Sequence, residues 1–220
     1  MRCGPIALYG YNMEENKMIE LTRDCARITH SNAHGYNGAI LQCLALHQAL
    51  HTNALGKQLV DINAFMTTLI DKMTKIELSC DNSELTNSDK PTMPFVDKLK
   101  KVKDILNNES KGMTYSIERI VSCLGNDVSA LKSVPTAIYA ALRGQCHLDG
   151  FDCNLPFVRT LYYAISLGGD TDTIASMACS ISGALYGIDA IPKMLLKHCE
   201  SNDIMEKYAD DMFKLVRSQM

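Results

Sequence analysis

The sequence predicts an all-α protein. Three observations carry that reading. Apolar residues recur three and four positions apart through most of the 220 residues, as one face of a helix requires. Proline or glycine punctuates the segments where helices start and stop. No apolar/polar alternation is sustained between paired turn signals, so strands are not expected. The count comes to about nine helices in a single multi-helix bundle.

The elements follow in order. Between Glu14 and Ile28, the residues Met18, Leu21, Cys25 and Ile28 share one helix face. A glycine-bearing segment, Thr29 to Gly38, leads to a helix with Ile40, Cys43, Leu44, His47 and His51 on one side. Asn53 is a candidate cap for a third helix carrying Leu55, Leu59, Ile62, Met66, Leu69 and Met73. From Ser79 to Pro94 the chain is polar and holds two prolines, which marks a surface loop. Phe95, Leu99, Val102 and Leu106 form the next apolar face. Ile117, Ile120, Val121 and Leu124 form another, with Gly125 as its C-terminal stop. Pro135 suits the first turn of the following helix, where its missing N–H is not needed. Pro156 does the same for a helix bearing Phe157, Leu161 and Ile165, and Pro192 for one near Leu195. The last helix begins at about Asn202 and carries Ile204, Tyr208, Met212, Leu215 and Val216.

Composition narrows the function classes. The hydrophobic share is 46%, the charged share 21% and the net charge -3, which suits a globular chain and offers no basic footprint for DNA. The densest basic run, Lys98 to Lys103, reads as the wet face of a helix. No apolar run is long enough to span a bilayer. The stretch Gly4 to Tyr11 is too short for a signal peptide. The nine cysteines are irregularly spaced and form no C-x-x-C, which argues against a disulfide framework and against zinc. Reduced thiols of this kind point to the cytoplasm, nucleus or mitochondrial matrix.

One stretch carries chemistry: Ser166-Leu167-Gly168-Gly169-Asp170-Thr171-Asp172-Thr173, running into an apolar helix that ends near Gly187. The two glycines let the backbone bend sharply. Asp170 then sits where a helix begins. Ile174, Met177, Ala178, Ile181 and Leu185 form its core face. Ala175, Cys179, Gly183 and Gly187 form a small-residue stripe, expected to let a second helix come close. Asp170, Asp172 and Thr173 offer only oxygen, the donor set of Mg²⁺, Mn²⁺ or Ca²⁺. The plainer alternative is that Asp170 caps the helix and Asp172 complements its dipole. An EF-hand does not fit: the third ligand position falls on Ile174 and the sixth holds no glycine.

This segment resembles the C-terminal metal motif of the ADP-ribosylglycohydrolase family. Thr29-His30-Ser31, Gly35-Tyr36-Asn37-Gly38-Ala39-Ile40-Leu41-Gln42 and Ser133-Val134-Pro135-Thr136-Ala137-Ile138-Tyr139 resemble its branch that hydrolyses serine-linked ADP-ribose and poly(ADP-ribose). The resemblance implies an all-α domain with two Mg²⁺ ions that grip the ribose hydroxyls beside the scissile bond. It implies ADP-ribose, ADP-ribosylated proteins or poly(ADP-ribose) as substrates, and no DNA or membrane partner. By the same resemblance Asp170, Asp172 and Thr173 are metal ligands. His30 corresponds to a residue lining the ADP-ribose pocket and Ile138 to one facing the adenine. Taken alone, His30 reads as a helix-end histidine and Ile138 as core.

The departures from the family pattern are as informative. The family's N-terminal half supplies a glutamate that acts on the reacting water, a Thr-Asp-Asp metal motif and a glycine-rich diphosphate loop. This sequence holds none of them; Asp210-Asp211 follows Ala209 in the last helix and reads as a solvated face. Met1-Arg2 resembles the residues just after the glycine-rich loop. Residues 1–220 are therefore expected to be the C-terminal part of one such domain, with no catalytic residue assigned and with some apolar helix faces left uncovered. The competing expectation is a truncated, inactive product that binds ADP-ribose or a partner without hydrolysis. A helical metal phosphohydrolase of another kind is not supported, since His147-Leu148-Asp149 lacks ligand spacing.

Overall fold

A computed structural model describes residues 1–54, 59–79 and 92–218. Among them run eleven α-helices: α1 Gly4–Tyr9, α2 Glu15–Arg27, α3 Ala33–Ala54, α4 Ile62–Ser79, α5 Pro94–Ser110, α6 Ile117–Leu124, α7 Ala130–Arg143, α8 Pro156–Ser166, α9 Thr171–Tyr186, α10 Lys193–His198 and α11 Asn202–Ser218. The count exceeds the expected nine, in part because the six-residue α1 is too short to show a period. A single bridge, Leu148 to Phe151, is the one β-type pairing among the described residues. None of the described helices is long and apolar enough to cross a membrane.

The core is centred on α3, α7 and α9. Every residue of α7 from Ser133 to Leu142 is buried. α9 packs against α8, α7 and α3, and α5 lies against α4 and α7. The expected faces of α5 and α9 are the buried ones: Phe95, Leu99, Val102 and Leu106 in the first, Ile174, Met177, Ala178, Ile181 and Leu185 in the second. α11 packs chiefly on α1. Val216 is its buried residue, and Ile204, Met205, Tyr208 and Phe213 are exposed.

Several expectations are corrected. In α2 the buried line is Met18, Thr22 and Ala26, while Leu21 and Ile28 are exposed. Thr22 tolerates burial because its hydroxyl donates to the Met18 carbonyl at 2.8 Å. In α8 the buried residues are Val158, Arg159, Thr160 and Ala164, and Ile165 is exposed. Arg159 donates to the carbonyls of Gly144, Cys153 and Gln145 at 2.7, 2.7 and 3.1 Å, which satisfies a charge that would otherwise be costly to bury. Asn53 lies in the last turn of α3; the cap of α4 is Asp61, whose carboxylate accepts the Ala64 N–H at 3.0 Å. Leu55 and the stretch 80–91 of the polar segment lie outside the described residues.

Pro135 is not at the start of its helix. α7 begins five residues earlier, with Ser129 at the N-cap, so Pro135 falls in the second turn and leaves the Leu131 carbonyl without its i+4 donor. Pro156 does occupy the first turn of α8, and Pro192 is the N-cap of α10. Gly125 ends α6 at φ +91°. The small-residue stripe on α9 does not meet a close helix at Gly183, where an added Cβ would touch nothing within 4 Å. Gly183 instead borders a groove shared with Pro5 and Leu46.

Candidate metal and substrate cleft

The turn between α8 and α9 is built as its glycines suggest. Gly168 and Gly169 take φ of +69° and +68°, the left-handed region that other residues enter at a cost. Asn126 fastens this turn to the α6–α7 loop. Its side-chain amide donates to the Leu167 carbonyl at 2.9 Å, and its own carbonyl accepts the Asp170 N–H at 2.8 Å. A Cβ on Gly169 would lie 2.1 Å from that carbonyl oxygen. The loop is fixed in turn by Asp127, which accepts from Lys132 and from the Ser129 N–H at 2.6 and 3.0 Å. Those contacts, the Lys132 ammonium first, hold its carboxyl at about 2.

Asp170 is the N-cap of α9, yet its carboxylate makes no capping hydrogen bond. The plainer alternative, a capping aspartate, therefore lacks its defining contact. Asp172 accepts the Thr173 N–H at 2.9 Å. That bond, followed by a contact with the Asp170 carboxyl, keeps Asp172 below the usual carboxylate range. Asp170 and Thr173 are half-buried and Asp172 is exposed. Two carboxylates and a hydroxyl thus stand together on one helix turn.

Thr173 lines a cavity of about 380 Å³ together with His30, Gly35, Gln42 and Ser133. Asp170 and Asp172 lead into Thr173 and are not part of this lining. His30 is held from behind. Arg2 Nη2 donates to the Cys25 carbonyl at 2.8 Å and to Thr29 Oγ1 at 2.7 Å, and Thr29 Oγ1 lies 2.7 Å from His30 Nδ1. Gly35 must be a glycine here, since a Cβ would come within 2.7 Å of the His30 Cβ. The structure therefore brings His30 and Thr173 to one cleft. It does not bring Ile138 there: that side chain is fully buried in α7, inside the core.

Two cleft residues had no role in the sequence reading. Gln42 is buried, donates to the Met177 carbonyl at 3.1 Å and has an Oε1 with no hydrogen-bond partner among the described residues. Its signal was a glutamine inside the apolar run of α3. Arg2 was singled out only for its place in the Met1-Arg2 resemblance; its contact with the His30 segment was hidden, because its partners at Cys25 and Thr29 lie more than twenty residues away.

The donor set fits a hard divalent cation. All three candidates offer oxygen, and the Asp170 carboxylate is not engaged by the helix N–H groups. No group of three or more His, Cys, Asp or Glu side chains converges among the described residues. The motif thus supplies two carboxylates of a site, and the cleft lining adds no Asp or Glu.

The whole chain, residues 1–220, matches the family model for ADP-ribosylglycohydrolase. It is similar to ADP-ribosylhydrolase ARH3 of Gallus gallus, 39% identical over 203 residues that cover 89% of this chain and 51% of that protein. It is 36% identical to ADP-ribosylhydrolase ARH3 of Homo sapiens over 225 residues, 98% of this chain and 56% of that protein. An uncharacterized protein of Archaeoglobus fulgidus is 26% identical over 215 residues, 98% of this chain and 57% of that protein. The chain spans about half the length of the curated relatives it matches. The all-α fold, the glycine turn before Asp170 and the match along the full chain agree: this chain belongs to the ADP-ribosylglycohydrolase family.

Proposed function

We propose that this chain forms one wall of a Mg²⁺-dependent site that hydrolyses O-glycosidic ADP-ribose bonds. The candidate substrates are serine-linked ADP-ribose, poly(ADP-ribose) and O-acetyl-ADP-ribose. The observation that supports it is the uncapped Asp170 carboxylate, set beside Asp172 one turn from a cleft shared by Thr173 and His30. Asp170, Asp172 and Thr173 hold the metal. When bound, a pair of Mg²⁺ ions polarises the substrate and orients water. His30, oriented through Thr29 and Arg2, lies against the ADP-ribose. Gln42 Oε1 accepts a hydroxyl or amino hydrogen from the substrate. Reduced cysteines favour an intracellular setting for this reaction.

The cleft lining holds no carboxylate to move a proton, whereas glycoside hydrolysis ordinarily uses a pair of them. That observation favours a second reading, in which this chain holds ADP-ribose and metal but does not itself hydrolyse the bond. One experiment separates the two. The chain is incubated with a serine-ADP-ribosylated peptide, in Mg²⁺ and in EDTA, and release is followed by mass spectrometry with Asp170→Ala as control. Mg²⁺-dependent release that Asp170→Ala abolishes supports hydrolysis. Mg²⁺-dependent retention of the peptide without release supports the holding role. Release unaffected by EDTA and by Asp170→Ala defeats both.

A further inference from the structure

Behind the cleft that His30 and Thr173 share runs a hydrogen-bond chain whose direction is fixed. It starts at Arg2. A guanidinium donates hydrogen bonds and cannot accept them. Arg2 Nη2 carries two hydrogens and has two acceptors, the Cys25 carbonyl at 2.8 Å and Thr29 Oγ1 at 2.7 Å. Thr29 Oγ1 therefore accepts from Arg2 and still holds its own hydrogen.

Two acceptors lie near enough to take that hydrogen. The Ala26 carbonyl is 3.5 Å away, at the outer limit of a hydrogen bond. It already accepts the N–H groups of Thr29 and His30 at 3.1 and 2.9 Å. His30 Nδ1 is 2.7 Å away, an ordinary length for a hydroxyl donor. The hydroxyl hydrogen thus goes to Nδ1. A neutral imidazole has one donor nitrogen and one acceptor. With Nδ1 accepting, the ring hydrogen belongs on Nε2, away from Thr29. Gly35 bounds the ring on another edge, since a Cβ there would come within 3.1 Å of His30 Cδ2.

The cleft lining includes His30 and Arg2 but not Thr29. It holds no carboxylate that could take the Nε2 hydrogen. We propose that Thr29 is a positioning residue: it passes the hydrogen bond from Arg2 on to Nδ1, so that His30 faces the cleft as a donor through Nε2. The identity of the ligand rests on the reading of this cleft as an ADP-ribose site. The atom that His30 meets there is an acceptor oxygen. With the hydrogen on Nδ1 instead, the ring would turn a bare nitrogen to the cleft and meet a ligand hydroxyl hydrogen.

The test is NMR of the full, ¹⁵N-labelled chain in mildly alkaline buffer, where imidazoles are neutral. Long-range ¹H–¹⁵N spectra read which ring nitrogen holds the hydrogen, with His30 assigned by the signals that His30→Gln removes. Without ligand, His30 should show a protonated Nε2 and a bare Nδ1. Thr29→Ser keeps the hydroxyl and should reproduce that pattern. Thr29→Val keeps the size without the hydroxyl and should move the Nδ1 signal towards that of a protonated nitrogen, as the second tautomer becomes populated. Thr29 is exposed, so neither change disturbs the core. Affinity for ADP-ribose, read by titration calorimetry, should fall about fivefold in Thr29→Val, the worth of one hydrogen bond, and hold in Thr29→Ser. Adding Thr29→Val to His30→Gln should cost nothing further. A hydrogen on Nδ1 in the native chain, an unchanged His30 spectrum in Thr29→Val, or a loss of affinity that persists in the His30→Gln background each overturns the proposal. A chain that binds no ADP-ribose refutes the reading of the cleft instead, and the proton positions read without ligand still decide for or against the Thr29 relay.

Discussion

The carbonyl of Asn126 accepts the Asp170 N–H at 2.8 Å, so the residue that opens α9 is positioned by a loop more than forty residues earlier. Gly169 is what lets that loop come so close. Its Cβ would lie 2.1 Å from the same oxygen, whereas a Cβ on Gly168 would meet nothing nearer than Asn126 Nδ2 at 3.8 Å. Both glycines have positive φ. Gly168→Ala should therefore cost about 1–2 kcal/mol from backbone strain alone. Gly169→Ala should cost clearly more and weaken metal binding as well. Urea denaturation of the two variants decides it; equal losses would mean that the Asn126 contact contributes nothing.

Capping and metal binding separate at Asp170. Ser116 is a working cap, its Oγ accepting the Arg119 N–H at 3.3 Å, and Ser116→Ala should cost about 1 kcal/mol. Asp170 makes no such bond, so Asp170→Ala should change stability by less than about 0.5 kcal/mol. Its Mg²⁺ affinity, read by titration calorimetry, should fall at least about tenfold. A stability loss as large as that of Ser116→Ala would return Asp170 to a capping role.

Glu77 joins two helices through its charge. The buried carboxylate accepts the N–H groups of Phe95 and Val96, both at 3.0 Å, and so closes the first turn of α5 from α4. Glu77→Ala strands both donors and should cost about 3 kcal/mol. A loss below that of a surface substitution in a thermal melt would show the contact to be incidental.

Glu109 gives a pH signature. Burial, opposed by Arg143 and by the Tyr139 hydroxyl, lifts its carboxyl above the ordinary value of 4.5. The folded protein then takes up a proton more readily than the unfolded chain. That contribution to stability is fully present below the unfolded value and is lost as pH rises through the folded one. Glu109→Gln removes it. The stability of the native chain relative to this variant should therefore fall as pH rises above 4.5. A difference that is flat, or that rises with pH, would show that Arg143 outweighs burial.

What the sequence revealed and what it hid have different physical origins. The helix opening after Asp170, the glycine bend before it, the stop at Gly125 and the buried faces of α5 and α9 depend on neighbours within a few residues. Those features were legible. The rotation of α2 and α8 was not, because Thr22 and Arg159 are buried by virtue of hydrogen bonds that periodicity does not encode. Pro135 misled for a similar reason: α7 starts at Ala130, after the N-cap Ser129, whose N–H is accepted by Asp127. Within the candidate site, the Asp170–Thr173 motif was readable as a local pattern. The contacts of Gln42 and Arg2 were not, since each is made to a residue more than twenty positions away.

The exposed lie of α11 has a kinetic consequence. Its amides are held by little more than its own turns and the contact with α1, while α7 is covered along most of its length. Segments with few tertiary contacts open by themselves, without melting the rest. In deuterated buffer α11 should therefore exchange its amide hydrogens long before α7 and α9 do, and at a rate that barely responds to changes at Glu77 or Gly169. The molecule then unfolds in two stages: a peripheral helix that detaches and returns on its own, and a centre that yields only as a whole.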